Sequence, residues 1–265
     1  MLKEITIGQY LKRDSYVHRL DPRTKVLSAV ALITALFMIN DLAGYLLMVF
    51  FLGLVSYLGQ VPLSYLLQGL KPLLVVVVVT YLLNIFTVPG AVIWQVAGLT
   101  VTREGVVIGS LIAVRLVMLV AVASLLTLTT SAIDLTDALE KLLSPFKGVG
   151  VPAHELAMMM SIALRFIPTL LDEADKIMKA QMARGADFES GHMVRRMKSI
   201  IPLLVPLFVG ALRRAEELAQ AMEARCYRGG EERTRFKQQT FGPGDRLAAL
   251  SVALVVGAVV WTRVG

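Results

Sequence analysis

The chain has 265 residues, of which 56% are hydrophobic and 18% charged, with a mean hydropathy of +0.67. Soluble domains carry about a quarter charged residues, so this balance excludes an ordinary water-soluble fold and implies a multi-span membrane protein. The net charge of +7 is not a nucleic-acid footprint, because the basic residues flank apolar runs with no aromatic platform among them, and no nucleic-acid partner is expected.

Residues 1–25 are polar and carry Lys3, Lys12, Arg13, Arg19, Arg23 and Lys25, as a cytoplasmic N-terminal segment would. Crossing a hydrocarbon core of about 30 Å takes roughly 20 helical residues at about 1.5 Å each. Val26–Asn40 is the first candidate span, ending at Asp41, and Ala43–Leu58 follows so closely that the two must form an antiparallel hairpin. Pro72–Val88 is the third. It contains Val75–Val79, but an open strand in lipid leaves its amides unpaired, so a helix is expected. Gly105–Thr130 is the fourth span and Leu247–Thr262 the fifth. The fold class is therefore all-α, with about five transmembrane helices, four of them in residues 26–130 and the last in 243–265. With the N-terminus in the cytoplasm, four crossings return the chain there near Ser131 and leave only Asp41 and the Arg103/Glu104 pair in the external turns.

Residues 131–242 form a separate, cytoplasmic or interfacial region. Ser131–Leu143 reads as an amphipathic helix capped by Ser131 and stopped by Pro145. Two long helical runs follow, Ala153–Arg184 and Met193–Arg225, each with an apolar first half and a charged second half. Pro168 interrupts the first, Pro202 and Pro206 the second, so each should bend where apolar turns to polar. The alternative is that each apolar half is a span of its own, although both are marginal in length.

Both runs end on the same pattern. Ala180-Gln181-Met182-Ala183-Arg184-Gly185 recurs forty-one positions later as Ala221-Met222-Glu223-Ala224-Arg225-Cys226. Small residues beside each arginine let the helix end lie against another surface while the guanidinium reaches past it. Gly185 permits the left-handed conformation that ends a helix. A favourable dipole interaction of about 0.3–1 kcal/mol is the plain structural reading of each arginine, but it does not account for the repeat.

Arg115 falls inside the fourth span, where a charge facing lipid costs about 2.5–3.5 kcal/mol. It should point inward to carbonyls or a carboxylate, a structural ion pair being favoured over a substrate site, and Arg165 is read in the same way. Chemistry is otherwise thin. His18, His154 and His192 are scattered, Met158 stands where a zinc-protease helix needs its second histidine, and there is no phosphate-binding G-x-x-x-x-G-K-[ST] loop. No catalytic residue, metal site or resident cofactor is expected, and the one cysteine, Cys226, has no disulfide partner within the chain.

Several motifs together resemble the transmembrane T component of energy-coupling factor transporters, whose relatives include cobalt-transport permeases. They are Asp14-Ser15, His18-Arg19-Leu20-Asp21-Pro22-Arg23-Thr24-Lys25, Arg103-Glu104-Gly105 with Arg115 beyond it, Ala163-Leu164-Arg165-Phe166-Ile167-Pro168, and the paired arginine motifs. The resemblance covers essentially the whole chain. It implies a non-catalytic scaffold in the cell membrane joining two cytoplasmic ATPase subunits, which bind the ATP, to a membrane-embedded S component that selects a vitamin or metal ion. It assigns Ala183-Arg184-Gly185 to one ATPase and Ala224-Arg225-Cys226 to the other, and makes 131–242 a coupling-helix domain. Cys226 departs from the glycine common there, which can change how that helix ends. Ala157, Ala163, Gly210 and Ala211 are candidates for close contact with the S component. The competing reading is a self-contained secondary transporter or membrane-embedded enzyme, which should show ionisable residues converging within its spans or paired broken helices.

Overall fold

A computed structural model describes residues 10–39, 41–96, 99–186, 193–227, 229 and 241–264; Lys3, Asn40 and His192 lie outside them. In chain order the helices are α1 (Tyr16–Arg19), α2 (Pro22–Met38), α3 (Leu42–Leu58), α4 (Leu63–Thr87), α5 (Arg103–Thr129), α6 (Ala132–Leu143), α7 (Ala153–Ala183), α8 (Met193–Ala224) and α9 (Pro243–Val264). Two short strands, β1 (Val92–Val96) and β2 (Leu99–Thr102), pair antiparallel between α4 and α5. The described residues divide into two units, one of 10–138 with 241–264 and the other of 139–186 with 193–227 and 229.

Local chemistry sets the helix starts. Asp21 accepts from the Arg23 amide at 2.9 Å and Pro22 supplies a preset first turn for α2. Thr102 accepts from the Gly105 amide at 3.0 Å at the head of α5. Ser131 behaves as expected for α6: its hydroxyl accepts from the Asp134 amide at 3.1 Å and donates to the Asp134 carboxylate at 2.6 Å. Beyond α6, Pro145 sits in a 3-10 turn over Ser144–Val149.

Among the described residues four helices are long and apolar enough to cross a membrane: α4, α5, α7 and α9. Helix α3 is a shorter apolar helix. Helix α2, the expected first span, has 17 residues and is about 25 Å long, with Arg23 and Lys25 in its first turn. Helix α7 has a mean hydropathy of 1.2, the lowest of the four. Pro72 is inside α4 rather than at its start, so that helix begins nine residues earlier than expected. The hairpin β1–β2 was not anticipated.

The core of the first unit is built from α2, α3, α5 and α9, with Leu36, Met48, Leu128 and Val259 fully buried. Glycines let antiparallel α4 and α5 approach closely. A Cβ at Gly69 would stand 2.8 Å from Ser124 Oγ, and one at Gly105 would stand 2.7 Å from the Asn84 carbonyl oxygen. The opposite faces stay apolar and exposed, as at Phe50, Val75, Leu83 and Leu254, which suits lipid as the surrounding solvent.

A buried polar node fastens the ends of this unit. Asp245, in the first turn of α9, accepts from the Asp21 amide at 2.7 Å and the Gly242 amide at 2.8 Å. The Lys25 ammonium donates to the carbonyls of His18 at 3.1 Å and Thr129 at 2.9 Å. Arg23 lies over the Phe241 ring, 5.3 Å from its centre. His18 touches the Ser15 hydroxyl through Nδ1, and burial together with the nearby Lys25 charge pushes its pKa below the ordinary histidine value. Ser15, His18, Asp21, Arg23 and Lys25 thus all make contacts within this unit.

Candidate docking site at two helix ends

The two arginine motifs adopt one geometry. Arg184 follows the last residue of α7 and Arg225 the last residue of α8. In the first, the Ala186 amide donates to the Gln181 carbonyl and the Gly185 amide to the Met182 carbonyl, both at 3.0 Å. In the second, the Tyr227 amide donates to the Met222 carbonyl at 3.0 Å and the Cys226 amide to the Glu223 carbonyl at 2.9 Å. Both are Schellman ends, in which a residue in the left-handed conformation turns the chain back over the final carbonyls.

That residue is Gly185 (φ 87°) in one motif and Cys226 (φ 58°) in the other. The cysteine therefore leaves the way the helix ends unchanged, contrary to the expected departure, and instead accepts a conformation costing a side-chain residue roughly 1–2 kcal/mol. Replacing it by glycine relieves that strain, offset by about 0.5–1 kcal/mol of backbone entropy. Cys226→Gly should slow amide hydrogen exchange around residues 222–227 about two- to fivefold, corresponding to roughly 0.5–1 kcal/mol.

Ala183, Arg184, Gly185, Ala224, Arg225 and Cys226 are all exposed. Neither guanidinium has a hydrogen-bond or ion-pair partner among the described residues. Ala180 and Ala221, one turn back, are exposed too, so each guanidinium rises from a surface of small side chains. A planar five-donor cation on such a low collar suits a groove offering carboxylate or carbonyl acceptors.

Helices α7 and α8 pack against each other. Glu173 on α7 and Arg214 on α8 form an ion pair at 2.6 Å that sequence reading did not single out. Gly210 adjoins it, since a Cβ there would lie 3.1 Å from Glu173 Oε1. Two of the small residues offered for an S component are thus engaged within the chain, Gly210 here and Ala157 by burial, whereas Ala163 is exposed.

The two arginines expected within the membrane part company. Arg115 donates through Nη2 to the Ile39 carbonyl at 2.8 Å and through Nε to the Tyr45 hydroxyl at 3.1 Å. Its described partners are neutral, so the favoured ion pair gives way to a carbonyl and a phenol. The cation closes the C-terminal end of α2, where Ile39 is the cap and the helix dipole favours positive charge. Arg165 is exposed on α7 and has no partner among the described residues.

His154 Nδ1 lies 3.1 Å from Glu140 Oε1, and no group of three metal-ligating side chains occurs among the described residues. A cavity of about 300 Å³ between α1, α2, α3, α5 and α9 is lined by apolar side chains, with Lys25 its single charged lining residue. It lacks the convergent ionisable groups that mark a carrier's solute site.

Residues 13–236 match the family described as CbiQ, cobalt transport protein. The chain is 55% identical over 262 residues to the energy-coupling factor transporter transmembrane protein EcfT of Thermosediminibacter oceani, covering 99% of each. It is 50% identical over 266 residues to the protein of that name from Clostridium kluyveri, covering all of this chain and 98% of the relative. To the one from Bacillus subtilis it is 48% identical over 265 residues, covering 99% of this chain and all of the relative.

Proposed function

The chain belongs to the CbiQ cobalt transport protein family, alongside the energy-coupling factor transporter transmembrane proteins, and on that premise we propose that it is the non-catalytic scaffold of an ATP-driven importer. In this reading it sits in the cell membrane with its N-terminus in the cytoplasm. Arg184 enters a groove on one ATPase subunit and Arg225 a groove on a second. A separate S component, held in the membrane against its apolar helices, binds the vitamin or metal ion.

The observation that carries the reading is the pair of matching helix ends, each presenting an exposed arginine, its guanidinium without a partner among the described residues, on a collar of alanines. A single such end is adequately explained by the helix dipole. Two copies with the same backbone hydrogen bonds, on helices packed together, suit two like partners. ATP binding draws paired nucleotide-binding subunits together, and helices anchored one in each follow as rigid elements, tilting what the membrane holds.

The test is reconstitution into liposomes. The chain alone should move no solute and hydrolyse no ATP, and transport should appear only when two ATPase subunits and an S component are added. Solute movement by the chain alone would favour the secondary-transporter reading instead.

A further inference from the structure

The contact between the two motif-bearing helices falls on residues one repeat apart. Glu173 and Arg214 are separated by forty-one positions, the offset that separates Arg184 from Arg225. The correspondence extends along both helices from the ion pair to the tips: Ala174 matches Ala215, Ile177 matches Leu218, Ala180 matches Ala221, and Ala183 matches Ala224. When two like elements are related by an approximate two-fold axis, a residue on the axis meets its own equivalent. The Glu173–Arg214 contact brings two equivalent positions of the repeat together, with opposite charges on them.

The geometry of the arms follows. Glu173 precedes Arg184 by eleven residues, and Arg214 precedes Arg225 by eleven. Eleven residues are about three helical turns and about 16 Å, so each arginine lies nearly on the face of its helix that carries the ion pair, at equal distance from it. Gly210 removes the Cβ that would crowd Glu173, allowing α8 to lie close at this point. Partly exposed ion pairs (the Arg214 and Glu173 side chains are 34% and 26% exposed) add little to stability, so stability does not explain the pairing. Register does: sliding either helix by one turn moves the charges about 5.4 Å apart.

We propose that Glu173 and Arg214 are positioning residues that pin the crossing of α7 and α8, making it the fulcrum of two equal arms. Movement of one arginine-tipped end is then passed to the other arm instead of being dissipated by sliding. This rests on the docking role proposed for Arg184 and Arg225.

The test uses spin labels at Lys176→Cys and Glu217→Cys, exposed equivalent positions between fulcrum and tips, in a Cys226→Gly background. The distance distribution is measured in the purified chain, and again in the complex with its ATPase subunits before and after adding the nucleotide analogue AMP-PNP. The parent should give a narrow distribution that shifts with AMP-PNP. Glu173→Arg and Arg214→Glu should each at least double its width and abolish the shift while ATPase capture stays within twofold, and the two together should restore both. Glu173→Gln, which keeps the shape and removes the charge, should broaden it to a lesser degree and decides the matter if the charge reversals do not fold. Unchanged widths in these variants, or a double reversal that restores nothing, would overturn the fulcrum. Failure of the docking reading looks different: ATPase capture would survive loss of both arginines, while the widths in the purified chain would still report on the fulcrum.

Discussion

Loss of both motif arginines, Arg184→Ala with Arg225→Ala, should abolish capture of the ATPase subunits and with it all nucleotide-driven movement. Each guanidinium that becomes buried on docking leaves an unpaired acceptor when it is removed, at a cost of about 2–5 kcal/mol, or roughly thirtyfold to several thousandfold in affinity. Because the two ends sit on one scaffold, either anchor holds its ATPase at a high effective concentration for the other, so each single variant should lose much less than the pair. Arg184→Lys keeps the charge and loses the planar fork, and should fall between wild type and alanine. Both arginines are exposed and sit beyond the last helical residue, so the substitutions should leave the helices intact, which circular dichroism checks. Co-purification followed by surface plasmon resonance gives the affinities. Unaltered capture by the double variant would remove the basis for the docking assignment.

The second large effect concerns the membrane unit itself. Asp245→Ala deprives the Asp21 and Gly242 amides of their acceptor at a node where Asp245 is only 5% exposed. Each buried donor left unpaired costs about 1–3 kcal/mol, and the Lys25 ammonium loses a nearby negative charge, so a total of about 3 kcal/mol is expected. For a chain of this size that corresponds to a fall of roughly 5–10 °C in the midpoint of thermal unfolding in detergent, read by loss of the monodisperse gel-filtration peak. Asp245→Asn keeps one acceptor oxygen and should lose about half as much. An unchanged midpoint for the alanine variant would mean that the node does not hold α9 to the start of α2.

Much of this architecture was legible from local chemistry. The starts and ends of α5, α6, α7 and α8 came out within a residue or two, because they depend on neighbours: a serine three positions before an aspartate, or an arginine followed by a residue able to turn left-handed. The hairpin β1–β2 was missed because its residues lie between two apolar runs, Pro72–Val88 and Gly105–Thr130, whose connection was not read for strands. Pro72 was read as a helix start, since proline favours a first turn, yet α4 carries it in its interior. Arg115 was expected to turn inward because of the cost of charge in lipid, but its partners could not be named. They lie seventy or more residues earlier in the chain, and one of them is a backbone carbonyl that every residue possesses.

The candidate site divides in the same way. Sequence by itself determined the membrane class, the helix-forming runs and the paired arginine ends, because composition, periodicity and the conformational demands of a helix terminus are written in neighbouring residues. Only the tertiary structure decided that Asp245 holds the start of α2 and that Glu173 meets Arg214. Those facts depend on which distant faces touch. A repeat of forty-one residues marks two positions as equivalent, but only the packing of α7 on α8 brings those equivalents within 2.6 Å of each other.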